Sequence, residues 1–120
     1  MISICDFSLY TNNFDILFGD FLDAFYRASY DIQIEVISKP PRFNNTDRVY
    51  AAILAATAHK LANDFNLVVP AWVYDNRFYL SEPYFGGNVR GNLRLLFMYK
   101  SPPEFKHRNL FVCENILKRV

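Results

Sequence analysis

The chain has 120 residues, thirteen Lys and Arg against twelve Asp and Glu, and 52% apolar residues; at about 100–200 residues per domain, this is one folded, core-forming domain spanning 1–120. A net charge of +1 supplies no global field toward nucleic acid or an anionic membrane. The longest apolar runs, residues 51–58 with Thr57 inside and 67–73 with Pro70 inside, fall far short of the roughly 20 residues of a membrane span, so no membrane association is expected.

Met1-Ile2-Ser3-Ile4-Cys5-Asp6 lacks the basic and small-residue features of a secretory leader, and a cytoplasmic protein is expected. Cys5 and Cys113 are accordingly expected to be reduced, buried thiols acting as small hydrophobes. His59 and His107 stand 48 positions apart with no Cys-x-x-Cys nearby, a spacing that brings no zinc ligands together, so neither a metal nor a cofactor is expected.

Charge is balanced in sum but not in position. Residues 1–40 carry six acids against Arg27 and Lys39, net −4, whereas residues 86–120 carry seven bases against Glu104 and Glu114, net +5. Such segregation has three readings: the acidic and basic segments meet in the fold, they are simply solvated faces, or the basic end is offered to an acidic partner.

Thr11-Asn12-Asn13 supplies the capping side chains of a first helix, and Phe14, Leu17, Phe18, Phe21, Leu22 and Phe25 step by three and four along one face of it to about Ser29. Residues 30–36 alternate like a strand, although Ile32, Val36 and Ile37 also fit helical spacing, so local pattern leaves strand and helix open. Lys39-Pro40-Pro41 is a connector.

Thr46-Asp47 then caps the central helix, residues 47–65, whose alanines raise helix propensity and let neighbours approach closely. His59 sits on it as a packed or half-exposed core-edge residue. Pro70, Pro83 and the Gly86-Gly87 pair exclude a long helix between them. Short 3₁₀ pieces folded back over the central helix are expected there, held by Trp72, Tyr74, Phe78, Tyr79, Tyr84 and Phe85. Helical spacing resumes over 88–100, with Arg90, Asn92 and Arg94 outward. Ser101-Pro102-Pro103-Glu104 reads as a capping box opening a short helix, residues 102–108. Residues 110–113 form a strand or buried turn.

No phosphate-cradling glycine loop, nucleophile elbow, zinc motif or calcium loop is present. Asp23 with His59 or His107 is the one acid/base pairing available, and a small enzyme is the least favoured reading. No catalytic residue is assigned.

Phe21-Leu22-Asp23-Ala24-Phe25-Tyr26, Val69-Pro70-Ala71-Trp72-Val73, Glu82-Pro83-Tyr84-Phe85 and above all residues 101–112, SPPEFKHRNLFV, resemble a small bacterial domain found after helix-turn-helix segments in regulator-like proteins, some of them similar to antitoxins encoded beside nucleotidyltransferase-type toxins. The likeness spans roughly residues 20–120 and rests on packing and capping phrases. It implies an all-α fold, with residues 30–38 helical. The first twenty residues are too few for a helix-turn-helix, so direct sequence-specific DNA reading is not expected.

The resulting expectation is a compact, single-domain, all-α bundle of about five helices with the aromatic segment packed across it. Its function is that of a non-enzymatic, antitoxin-like regulatory module binding a protein partner encoded next to it; the alternative is a phage-type inhibitor of a host defence complex, anti-CRISPR-like. The expected contact face joins Trp72, Tyr74 and Arg77 to Lys106, His107, Arg108 and Asn109, because Trp and Arg most often dominate binding energy.

Overall fold

The computed structural model describes residues 2–9, 14–42, 48–86, 90–113 and 115–118. The expected caps at Thr11-Asn12-Asn13 and Thr46-Asp47 lie outside the described residues. Among those described the fold is all-α, with five α-helices and one two-residue strand pair. The Cα radius of gyration is 13.7 Å, matching the value of about 13.6 Å for a compact chain of this length.

A 3₁₀ turn, Ile4–Leu9, leads into α1, Phe14–Arg27. Phe14, Phe21, Leu22 and Phe25 bury the expected face of α1, and Phe7 meets Phe14 and Phe21 edge-on at 5.8 and 5.6 Å. Tyr30–Ile37 is helix α2, not a strand. Its Val36 and Ile37 are buried, Asp31 and Glu35 point outward, and the buried Gln33 amide donates to Phe25 O at 3.0 Å. That carbonyl also accepts Ala28 N–H at 3.1 Å, so the Gln33 side chain adds a second donor at the last turn of α1 and fixes the second helix against it.

Helix α3, Arg48–Asp64, is the centre of the molecule: Ala51, Ala52, Leu54, Ala55, Ala56, Ala58, Leu61 and Ala62 are buried on more than one side. Small side chains on several faces let neighbouring segments approach closely all round. The helix ends at Asn66 with φ of 56°, where Leu67 N–H reaches back to Ala62 O at 2.8 Å, an αL termination that asparagine tolerates.

Two 3₁₀ turns, Ala71–Tyr74 and Asn76–Phe78, fold across α3 as expected. Trp72 Nε1 donates to Ile37 O at 2.9 Å, and its ring meets buried Phe78 at 5.3 Å. Strand β1, Tyr84–Phe85, pairs in parallel with β2, Leu110–Phe111, so the first two residues of the apolar run 110–113 are strand.

Helix α4, Asn92–Lys100, buries none of its residues. This corrects the expectation of a helical face opposite the outward Arg90, Asn92 and Arg94: Phe97 is half-buried and the other eight residues, Leu93 and Leu96 included, are exposed. Helix α5 is shorter than expected, Pro103–Lys106. Its capping box does not form, because Pro102 is the N-cap and Ser101 is committed elsewhere. The buried Ser101 hydroxyl accepts Val112 N–H at 2.9 Å and shares its proton between Phe97 O and Val112 O. Glu104 instead reaches Asn63 of α3, Nδ2 to Oε2, at 2.9 Å. Both cysteines are free, and Cys113 is exposed, against the expectation that it is buried.

Candidate functional site: a protein-contact surface

The residues expected to form one contact face divide into braces and surface. Arg108 is 1% exposed, which removes it from any outward face. Its Nη1 donates to Glu104 O at 2.7 Å, its Nη2 to Val73 O at 2.7 Å, and Nη2 meets His59 Nδ1 at 3.3 Å. Tyr79 covers the guanidinium at 4.8 Å. Arg108 thus ties α5, α3 and the first 3₁₀ turn of the aromatic segment together. Three acceptors converge on one planar group, a geometry a lysine ammonium does not reproduce.

Trp72 is half-buried and spends its N–H on Ile37 O. Asn109, likewise half-buried, adopts φ of 63° and donates Nδ2 to Leu80 O at 2.8 Å, so one polar group of each is committed to holding the fold. Lys106 Nζ donates to Tyr99 O at 2.9 Å and so braces the last turn of α4. Arg77 is exposed, 3.6 Å from Asp75 and 4.7 Å from the Phe78 ring centroid. Tyr74 and His107 are exposed, and these two alone join Arg108 in one concavity.

That concavity, about 410 Å³, is lined by His59, Asn63, Tyr74, Tyr79, Pro103, Glu104, His107 and Arg108. Tyr74 stands edge-on to His59 at 5.2 Å. Burial, then the adjacent Arg108 charge, holds the His59 pKa below its ordinary value near 6.5. Arg108 can only donate, so His59 Nδ1 is the acceptor and the neutral ring carries its proton on Nε2. Burial pushes Glu104 upward, but the Asn63 amide, its own backbone N–H and the nearby Lys60 charge outweigh that and keep its pKa below 4.5. Burial likewise lowers Arg108, against support from Tyr79, Tyr74 and Glu104. The carboxylate beside His59 is therefore Glu104; Asp23 lines no part of this concavity. Among the described residues no three His, Cys, Asp or Glu side chains gather as a metal site.

The outward surface lies one helix away. On α4, Leu93 is 54% exposed, Leu95 65%, Leu96 46%, Met98 45% and Tyr99 80%. At 3.6 residues per turn, Leu95, Leu96 and Tyr99 fall within an arc of about 100° opposite the inward-facing Phe97. A helix apolar round most of its circumference is ordinarily buried; this one leaves its widest apolar stripe uncovered. Arg94 lies over the Phe85 ring at 4.8 Å, while Arg90 and Lys100 are exposed at either end. The residues between Glu82 and Glu104 contain no acid.

The sequence contained a signal for this surface. NLRLLFMYK is apolar at six of nine positions and has no polar face of a size suited to a solvated helix. Among the described residues no helix is long and apolar enough to cross a membrane. Comparison with protein-family models, curated proteins and solved structures finds no match.

Proposed function

We propose that this chain is a non-enzymatic regulatory module of the cytoplasm that acts by binding a protein, in the manner of an antitoxin engaging a cognate product encoded beside it. The observation that carries this reading is α4. Scattered surface leucines are ordinary, but three adjacent apolar anchors on one helical stripe, with cations at both ends, have the composition of a contact surface. The resemblance of residues 20–120 to regulator and antitoxin-like domains supports the regulatory role.

The test is to express the chain together with the product of the adjacent gene and follow co-elution by size-exclusion chromatography. A stable complex that is lost in the Leu95→Glu, Tyr99→Glu double variant is expected. Absence of any complex removes the antitoxin-like reading.

A further inference from the structure

The exposed stripe on α4 has a defined chemistry, and it selects among occupants. Its centre is Leu95, Leu96 and Tyr99, with Met98 and Leu93 on the flanks. Its charges are cationic: Arg90 precedes the helix and Lys100 ends it. Phe97, on the opposite side, is half-buried, and Lys106 holds the Tyr99 carbonyl at the last turn. The helix is thus presented on a braced support, with anchors at i, i+1 and i+4.

A second copy of the chain does not fit this surface. Two α4 helices packed on one another would set Arg90 and Lys100 of each copy against like charges. The acidic face of the molecule is also unsuited. Asp31 and Glu35 lie at the centre of the outward side of α2, so leucines docked there would bury two carboxylates with no partner. The neighbouring groove holds Asp6, Glu35 and Lys39 beside Ile32 and Val36, and its charges likewise lie where apolar anchors would have to sit.

An anionic membrane is a poorer fit than a protein. Stable interfacial binding draws on a long apolar face plus many cations, and α4 offers nine residues with one cation at each end of the stripe. A narrow stripe with few anchors instead matches a groove of side-chain dimensions.

We infer that α4 is a recognition helix that inserts Leu95, Leu96 and Tyr99 into an apolar groove on the partner protein, and that this groove is rimmed by carboxylates that meet Arg90 and Lys100. The inference rests on the protein-contact reading above and specifies the partner's surface. The two classes of residue have separate kinetic roles. Anchors seated in a groove set the dissociation rate, whereas rim cations steer approach and set the salt dependence of association.

The experiment is surface-plasmon resonance of the full chain against the product of the adjacent gene, at low and at physiological ionic strength. Leu95→Ala and Tyr99→Ala are each expected to weaken binding by about 10- to 100-fold, mainly through faster dissociation. Arg90→Glu with Lys100→Glu is expected to slow association by about tenfold and flatten its salt dependence. All four side chains are exposed, so unchanged melting curves confirm that each variant is folded. Binding indifferent to both sets overturns the inference and moves the contact off α4 while leaving a protein-binding role in place, and no binding at all removes that role as well. Three further results also overturn it: concentration-dependent self-association lost in Leu95→Ala, binding of phosphatidylglycerol vesicles through α4, and binding of duplex DNA that the two charge reversals abolish.

Discussion

Arg108 Nη2, in the turn just after α5, lies 3.3 Å from His59 Nδ1 of α3. The contact couples a buried cation to a neutral imidazole, with Val73 O and Glu104 O as the further acceptors of its two Nη groups. Arg108→Leu removes the donors to two shielded carbonyls and is expected to cost roughly 2–4 kcal/mol. Arg108→Lys retains the charge but not the fork, and should recover only part of that loss. Urea unfolding of the three proteins checks the order.

The same contact makes stability depend on pH. The folded His59 pKa lies below its ordinary value near 6.5, so the unfolded chain takes up the proton first. His59 therefore costs nothing above about pH 6.5 and destabilises the fold as pH drops from there toward the lowered value. Glu104, held below 4.5, stabilises the fold above that value and loses its contribution as pH falls through its folded pKa. Denaturation midpoints measured between about pH 7.5 and 5 should decline, and His59→Asn, which keeps an acceptor toward Arg108 but cannot titrate, should flatten that decline.

Ala55 and Ala56 are fully buried in α3, where neighbouring segments pack closely. Replacing either by Phe is expected to destabilise by about 1–3 kcal/mol through overpacking. Thermal melts followed by circular dichroism check this, with the helical signal below the transition remaining close to that of the parent.

Ser101 joins the end of α4 to the segment after β2 through its hydroxyl, which accepts Val112 N–H and donates to the carbonyls there. Ser101→Ala leaves Val112 N–H unsatisfied in a buried setting and is expected to cost about 1–3 kcal/mol. Faster amide hydrogen exchange at Val112 would locate the loss.

On α4 the expectation is opposite. Leu95→Ala and Tyr99→Ala remove large side chains that contact little of their own fold, so each should change stability by no more than about 0.5 kcal/mol. A melting temperature lowered as far as by the Ala55→Phe change would show that α4 packs inward.

The sequence by itself determined the all-α class, the first and central helices and the 3₁₀ character of the aromatic segment. These depend on local periodicity, on alanine content and on prolines that remove backbone donors, all of which act within a few residues. Residues 30–37 were locally ambiguous because alternation and helical spacing coincide there. In the fold they are helix, with Val36 and Ile37 buried and the Gln33 amide bonded to the last turn of α1. Tertiary structure alone decided which charged and aromatic residues are surface. Lys106, His107 and Arg108 are adjacent cation-type residues in sequence, yet one braces a carbonyl, one is exposed and one is buried across three elements. The direction of α4 was decided in the same way. Helical spacing shows that a helix has an apolar side, but only the placement of its neighbours decides whether anything covers that side.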